Sequence, residues 1–254
     1  MALLSVAPLA AGVHRKLVLQ REIARLMSPL TIFVVEGALQ CVLGYRIENL
    51  RKFRREYRKA CLEHDGPLMI CANHLTMIDS FIIAWALGSP WWYLRHFRTL
   101  PWNVPERSIF AATPFLRMAM YVLKCLPIER GGDRMEVTEV LSCLASVVSN
   151  HEVALIFPEA GRSRTGRVDP DSAASGVGRI YRSVPHCRVI CVYLRGDHQE
   201  AYSDMPVRGE TFRGSVSIIE PKTSNRGLRA SRDIARQIAQ RLAHMEQEYF
   251  DGRK

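Results

Sequence analysis

The segment PLMICANHLTMIDSFIIAWAL, residues 67–87, decides the fold. Its first part, Pro67–Ala72, is apolar and follows the turn signal Asp-Gly, which predicts a short buried strand. Residues 81–87 form a second apolar run of helical character, and Asp79 is suited to the first turn of that helix. The segment therefore predicts a strand, a polar turn and a helix.

The polar turn carries His74 and, five residues later, Asp79. In one continuous helix, residues five apart point about 140° away from each other, so the two side chains would not meet. They can meet if His74 leaves the end of the strand and Asp79 begins the helix. The carboxylate would then hold one ring nitrogen protonated and leave the other as a base. The alternative is a histidine that only makes a structural hydrogen bond at a strand end.

Two further apolar runs also end in polar turns. Residues 153–157 predict a strand, and the loop EAGRSRTG at 159–166 follows with two glycines and two arginines. Residues 126–128 predict another strand, followed by Glu129, Arg130 and a pair of glycines. Arginines and backbone amides at such turns suit an oxyanion or a phosphate, although a charged surface loop has the same composition. Three polar clusters at strand ends predict one shared site at the edge of a sheet.

These segments resemble the sequence blocks of the glycerolipid acyltransferases, the PlsC-like or lysophosphatidic acid acyltransferase family. NHLTMID at 73–79 is similar to their NHxxxxD block, and FPEAGRS at 157–163 is similar to their FPEGTRS block. Residues 128–130 resemble the end of the intermediate arginine block, and residues 189–192 resemble the late apolar block. The resemblance covers about residues 67–195, in the order that the family has.

The departures from the resemblance lie mainly in its binding blocks. Ala160 and Gly161 stand where the family usually has Gly-Thr, and Lys124 and Pro127 replace a usual glycine and phenylalanine. Cys191 stands where the late block usually has proline. Because the base and its carboxylate are intact while the binding blocks are altered, a lysolipid other than lysophosphatidic acid is an open alternative for the acceptor.

The resemblance implies transfer of a fatty acyl group from acyl-CoA or acyl carrier protein to the hydroxyl of a lysolipid such as 1-acyl-glycerol-3-phosphate, in phospholipid biosynthesis. His74 would be the general base, and Asp79 would orient it. The substrate-binding residues that it implies are Arg130, Glu159, Gly161 and Arg162. The two arginines would hold an acceptor phosphate, the glutamate would fix the acceptor or an arginine, and donors near the glycine would stabilise the oxyanion. No metal and no cofactor are implied, because the thioester is a co-substrate.

Other classes of function stay open from the residues alone. A hydrolase could use His74 and Asp79 on a lipid ester, although no serine stands in a Gly-x-Ser-x-Gly elbow. A non-enzymatic membrane-binding protein could carry the same fold, although the intact pair argues against it. A zinc site built from Cys61-x-x-His64 and Cys71-x-x-His74 is disfavoured, because residues three apart in a strand face opposite sides.

The charge and the N-terminal pattern favour an anionic membrane as a partner. The net charge is +10, and no helix-turn-helix, zinc-finger or RNA-recognition signature accompanies it, so nucleic acid is not expected. Residues 26–45 are mostly apolar but are interrupted by Pro29, Glu36 and Gln40, which predicts an interfacial helix rather than a membrane span. Residues 51–59 then place six basic side chains in nine, which suits an anionic leaflet or a solvated helix packed on the domain.

The overall organisation expected is one α/β domain with an N-terminal appendage. The membrane-associating helical segment would span residues 1–60 and the acyltransferase domain residues 61–254, with a mixed, largely parallel central sheet flanked by helices. Seven scattered cysteines without a Cys-x-x-Cys pair fit free thiols in a reducing compartment. The protein is therefore expected on the cytoplasmic face of the cell membrane, peripheral or monotopic.

Four other segments carry predictions of their own. Residues 91–94, WWYL, predict a strand in the core. Residues 97–109 predict an irregular loop that borders an acyl-chain groove. Residues 135–148 and 231–250 have apolar side chains at helical spacing, which predicts two helices.

Overall fold

The computed structural model of the chain contains one five-stranded sheet within the described residues, 9–110, 113–129 and 131–252. Its strands are β1 (Arg46–Ile47), β2 (Leu68–Ala72), β3 (Ala154–Ile156), β4 (Arg188–Gly196) and β5 (Thr211–Ile219). Their spatial order is β1-β5-β4-β2-β3. Every neighbouring pair is parallel except β4 with β5, which is antiparallel. The predicted mixed, largely parallel sheet is confirmed.

Helices cover both faces of this sheet. They are α1 (Ala11–Gly37), α2 (Leu50–Leu62), α3 (Asp79–Leu87), α4 (Pro90–Arg95), α5 (Arg107–Phe110), α6 (Pro114–Val122), α7 (Arg134–Ser149), α8 (Ser175–Ser183) and α9 (Gly227–Asp251). A π-helical turn, Ala38–Val42, continues α1, and single 3-10 turns lie at Phe97–Thr99 and Pro170–Ser172. The predicted helices at 135–148 and 231–250 are α7 and α9. The α/β class is therefore confirmed.

The central strand β2 shows how the two faces are divided. All five of its residues are buried, and successive side chains point to opposite faces of the sheet. Ile70 and Ala72 belong to a core cluster with α2 and α3, whereas Met69 and Cys71 belong to a second cluster with α7, α8 and α9. Because both faces are covered, the strand is apolar throughout rather than alternating.

Asn73 fixes the point at which the chain leaves β2. The strand ladder between β2 and β4 ends at Ala72 and Val192. The side chain of Asn73 then continues it: Nδ2 donates to the carbonyl of Leu194 at 2.9 Å, and the amide of Leu194 donates to Oδ1 at 2.9 Å. This reciprocal pair holds the start of the following turn against β4.

α1 is longer and more continuous than its interrupting residues suggested. Pro29 lies inside it and lacks the N–H that would bond the carbonyl of Arg25, but Ser28 Oγ donates to that carbonyl at 2.8 Å. Together with the π-helical turn the helix runs over Ala11–Val42, with a mean hydropathy of 1.2 in its apolar window and 11% of that window buried. Its length and composition would allow it to cross a membrane, and the interfacial position expected from the sequence stays a prediction.

On the buried side of this helix, Gln20 and Glu36 make hydrogen bonds to the domain. Gln20 Nε2 donates to the carbonyl of Cys125 at 2.9 Å. Glu36 Oε1 accepts from Trp85 Nε1 at 3.0 Å and from Arg54 Nη2 at 3.3 Å. The outward-facing large apolar side chains are Leu19, Leu26, Leu30, Phe33, Val34 and Val42. Polar contacts thus hold the helix along the domain, and its apolar side is left uncovered.

The basic segment forms α2, which packs on the domain through buried Phe53 and Tyr57. Its exposed basic side chains are Arg51, Lys52, Arg55 and Lys59. Both aromatic residues belong to the core cluster that includes β2, so the boundary expected at residue 60 falls inside a helix of the domain core. The basic segment is therefore a helix packed on the domain, and its exposed basic side chains face outward.

Two predicted strands are absent from the described residues. Residues 91–94 belong to helix α4, which starts at Pro90 and is capped by Ser89, whose Oγ accepts from the amide of Trp92 at 3.3 Å. Residues 126–128 form only an isolated bridge, between Ile128 and Glu106. The first prediction was wrong because a helix start signal outweighed aromatic strand propensity. The second was wrong because the backbone of residues 126–128 bonds to residues 103–107, outside the main sheet.

Candidate active site

His74 and Asp79 meet at the end of β2. His74 lies in the turn after the strand, and Asp79 is the first residue of α3. Nδ1 of the histidine lies 3.0 Å from Oδ2 of the aspartate, and the two residues are only 8% and 9% exposed. With Nδ1 donating to the carboxylate, Nε2 is the nitrogen left to accept a proton. The predicted contact is present, and the catalytic roles of the two residues stay a prediction.

Asp79 is held by the turn that it closes. Its Oδ2 accepts from the amides of Leu75 and Thr76 at 2.6 and 2.7 Å, and its Oδ1 accepts from Thr76 Oγ1 at 2.5 Å. Three donors besides the histidine therefore fix the carboxylate. An imidazole bonded to a carboxylate fixed in this way has one orientation, which is what a positioned base requires.

His74 forms part of the wall of a cavity of about 310 Å³. The Phe157 ring stacks on the imidazole, with the ring centres 4.0 Å apart and the planes at 13°. Other lining residues are Met77, Phe81, Val104, Leu116 and Met120. The predicted loop at 97–109 and helix α6 thus enclose an apolar space beside the histidine, and Arg162 and Glu106 are charged residues in its lining.

The loop after β3 lies beside His74. The amide of Ser163 donates to the carbonyl of His74 at 2.9 Å, and the Arg162 side chain lines the His74 cavity. Nη1 of this arginine donates to Asp204 Oδ1 at 2.6 Å and to the carbonyl of Ser203 at 2.9 Å. The structure therefore brings Arg162 to the histidine as predicted, but it also brings Asp204, which no sequence motif indicated.

The other predicted binding residues have different surroundings. Glu159 Oε1 accepts from the amide of Asp169 at 2.9 Å, so its contact is with its own loop and not with an arginine of the described residues. Burial raises the pKa of the Glu159 carboxyl to about 7, against the lowering effect of that hydrogen bond. Gly161 lies in this loop beside Arg162 but outside the described lining of the cavity. Arg130 lies outside the described residues, so its phosphate contact stays a prediction.

No group of three or more metal-ligating side chains comes together among the residues that the structure describes. Cys71 is buried in the cluster with α7, α8 and α9, while His74 turns to Asp79. The sequence pattern Cys71-x-x-His74 therefore does not converge on one point.

Two departures from the family resemblance coincide with left-handed backbone. Lys124 has φ +56° and Ala160 has φ +50°. In the resembling family glycine is usual at both positions, and glycine adopts this conformation without a steric penalty. Any residue with a Cβ loses about 1–2 kcal/mol there, so the backbone gives the physical reason for the usual glycine.

Lys124 offsets this cost with contacts of its side chain. Its Nζ is fully buried, 3.1 Å from Glu152 Oε2 and 2.7 Å from the carbonyl of Leu100, and it lies over the rings of Phe97 and Trp102. Burial lowers the pKa of the Lys124 ammonium to about 8, against the opposing effect of Glu152. The methyl group of Ala160 makes no comparable polar contact.

Replacing Ala160 with glycine is therefore expected to stabilise the protein by about 1 kcal/mol, because the left-handed strain is relieved while the turn is kept. The turn is closed by the amide of Ala160, which donates to the carbonyl of Phe157 at 3.0 Å. Chemical denaturation measures the change. Lys124→Gly is the matched comparison and should destabilise, because buried Glu152 loses the nearer of its two cations and keeps only Arg21 Nη1, at 3.6 Å. An Ala160→Gly midpoint at or below that of the wild type would contradict the prediction.

A family model and a solved structure are similar to this chain. The family model described as Acyltransferase matches residues 45–195, which is more than half of the chain and includes both the His74–Asp79 turn and the 157–163 loop. Among solved structures, the crystal structure of the 1-acyl-sn-glycerophosphate (LPA) acyltransferase, PlsC, from Thermotoga maritima is similar, with a TM-score of 0.44 and 14% identity over 92% of this chain and 97% of that chain. A search of curated proteins finds no significant match. Because the family model accounts for most of the chain, the protein belongs to the acyltransferase family.

Proposed function

We propose that this acyltransferase transfers a fatty acyl group from an acyl-CoA or acyl carrier protein thioester to the hydroxyl of a lysolipid such as 1-acyl-glycerol-3-phosphate. The observation that carries the proposal is the His74–Asp79 pair, bonded at 3.0 Å in the wall of an apolar cavity. An oriented base beside apolar space suits a substrate that brings both a hydroxyl and an acyl chain.

The reaction follows from the atoms available. Nε2 of His74 takes the proton of the acceptor hydroxyl, and the hydroxyl oxygen attacks the thioester carbonyl. The tetrahedral oxyanion then collapses, the carbon–sulfur bond breaks, and the imidazolium returns the proton to the leaving thiolate. Asp79 holds the imidazolium throughout. Amides near Gly161 are our candidates for stabilising the oxyanion.

A second apolar cavity supports a reaction with two acyl chains. It has a volume of about 360 Å³ and lies between α7, α8 and the end of β3. Val104 and Phe157 line both this cavity and the one at His74. Acyl transfer to a lysolipid brings one chain on the donor and one on the acceptor, and two apolar spaces that share a wall beside the base suit such a pair.

The direct test is incubation of the purified protein with a labelled acyl-CoA or acyl carrier protein thioester and a panel of lysolipids, followed by product analysis. The proposal expects a diacyl product that depends on both substrates. Release of free fatty acid from a lipid ester without an acyl product would indicate the hydrolase alternative. The absence of turnover with every pair would favour the non-catalytic alternative.

Arg162→Ala is expected to raise the apparent KM of a phosphate-bearing acceptor about tenfold or more and to leave that of the acyl donor nearly unchanged. The reason is that a charge-assisted hydrogen bond to phosphate contributes about 1.5–3 kcal/mol. Steady-state kinetics with each substrate varied in turn measures both constants. An unchanged acceptor KM in folded protein would show that the arginine is structural, through its bonds to residues 203 and 204.

Membrane association is proposed through the uncovered side of α1. Phe33 packs edge-to-face on exposed Trp91 with ring centres 5.5 Å apart, and α6 adds the exposed side chains of Phe115 and Met118. Exposed apolar side chains on three helices suit the interface of a bilayer. The exposed basic face of α2 would add attraction to anionic lipids.

A monotopic arrangement is favoured over a span because α1 is bound to the domain at two distant points. Gln20 and Glu36 both make hydrogen bonds to the domain, and they are about 24 Å apart along a helix that rises 1.5 Å per residue. A helix that crosses a bilayer could not keep both contacts with a domain on one side. We place the protein on the cytoplasmic face, where its free thiols stay reduced.

A further inference from the structure

Arg162, a cation in the lining of the His74 cavity, is paired before any substrate arrives. Its Nη1 bonds Asp204 at 2.6 Å and the carbonyl of Ser203 at 2.9 Å. The Asp204 side chain is 73% exposed, so its carboxylate stands in solvent beside the cavity rather than within the core. An acceptor phosphate that reaches this arginine must therefore sit next to a fixed negative charge.

The arginine has donors to spare. Both of its hydrogen bonds leave from Nη1, and within the described part of the chain Nε and Nη2 make none. A guanidinium presents five N–H donors in a planar fork, so one phosphate can bind Nε and Nη2 while Nη1 stays with Asp204. The pair can thus hold a phosphate without separating.

The charge of the head group decides how favourable this arrangement is. A phosphate monoester carries about −1.5 to −2 charges at pH 7, and a diester carries only a single negative charge. The extra charge of the monoester is repelled by the exposed carboxylate of Asp204. A cation attached to a phosphodiester is instead attracted by the exposed carboxylate.

We propose that Asp204 determines head-group specificity: Arg162 and Asp204 together recognise a zwitterionic lysolipid, the arginine binding its phosphodiester and the aspartate its ammonium group. This inference rests on the proposed acyl transfer and decides between the acceptors left open by it. Asp204 lies beyond residues 45–195, the range that the family model matches, so membership of the family does not account for it.

The main chain fixes Asp204 independently of its carboxylate. The amide of Met77 donates to the Asp204 carbonyl at 3.1 Å, and the amide of Ser203 donates to the carbonyl of Leu75 at 3.0 Å. Both bonds tie the segment to the turn that carries His74 and Asp79. A change confined to the side chain of Asp204 therefore leaves the segment in place, which makes the charge testable by itself.

The experiment compares kcat/KM for 1-acyl-glycerol-3-phosphate and for the ethanolamine ester of its phosphate, with the same acyl chain and both in neutral detergent micelles. The wild type should prefer the zwitterionic ester. Asp204→Asn should shift the ratio of the two values about tenfold toward the monoester, through KM, because each exposed charge contact contributes a few-fold. Asp204→Glu, which keeps the charge, should retain the preference of the wild type.

Glu220→Gln is the matched control, because it removes a carboxylate from an exposed ion pair with Arg188 at the opposite end of β4. Its ratio should equal that of the wild type. An unchanged ratio in Asp204→Asn with a native circular dichroism spectrum, or a wild-type preference for the monoester, overturns the specificity role and leaves acyl transfer standing. A wild type that acylates neither these esters nor any other lysolipid overturns both proposals.

Discussion

Replacing His74 with alanine is expected to lower kcat by about 10²-fold or more while the protein stays folded. A general base contributes about 10²–10⁴-fold to such a step, and no other histidine in the described residues lies in this cavity. Three other donors still hold the Asp79 carboxylate in this variant, so the turn should stay folded. Single-turnover kinetics with a labelled thioester measures the chemical step directly.

His244→Ala is the matched control for this variant. His244 also pairs with a carboxylate, Glu248, at 2.9 Å, but it lies on the exposed side of α9. Removing it should leave acyl transfer unchanged. Asp79→Asn should lower kcat about as much as His74→Ala does, because the His74 imidazole loses the carboxylate that fixes its tautomer. Near-normal turnover in His74→Ala would exclude the mechanism proposed for this site.

The second large effect is expected at the membrane surface. Leu26→Ser combined with Leu30→Ser should weaken binding to vesicles by about 10²-fold or more, because burying one leucine contributes about 1.5 kcal/mol or more and each 1.4 kcal/mol is tenfold. The two side chains are 79% and 59% exposed and lie one helical turn apart. Sedimentation with vesicles of mixed neutral and anionic lipid measures the partition coefficient.

Leu62→Ser combined with Leu228→Ser changes two leucines outside α1 that are 64% and 53% exposed, and it should not weaken binding. Raising the salt concentration should reduce the part of binding that comes from the basic face of α2, since exposed charges are screened. The vesicle binding that remains at high salt should be the apolar contribution, which the α1 variant loses. Equal sedimentation of the α1 variant and the wild type would place the membrane contact elsewhere.

The strand–turn–helix at residues 67–87 was predictable because its signals are local. An apolar run after a turn, a helix start at Asp79 and a histidine five residues before it leave few arrangements, and the structure has the expected one. The same holds for the largely parallel sheet, since parallel strands buried on both faces are apolar throughout. The loop that carries Arg162 also lies at the predicted edge of the sheet, because β2 and β3 are parallel and end at the same edge.

What could not be predicted depends on contacts between distant residues. Asp204 meets Arg162 across 42 positions, and no spacing in the sequence connects them. The continuity of α1 depends on Ser28, whose hydroxyl satisfies the carbonyl that Pro29 leaves without a donor. Helix α4 did carry a local signal, a serine followed by proline, but the strand propensity of the aromatic residues after it led to the prediction of a strand.

The single antiparallel pair of the sheet, β4 with β5, bears on how this protein and its relatives diverge. A parallel crossover returns the chain to the opposite edge of the sheet, whereas the β4–β5 connection, residues 197–210, starts and ends at the edge where β2 delivers His74. Asp204 lies on this connection. Its sequence can therefore drift without changing strand register, provided that its two main-chain anchors survive. With Asp204 in its proposed role, choice of acceptor and competence for acyl transfer would be separately heritable traits, and exchange of one short loop would give the catalyst a new lipid to modify.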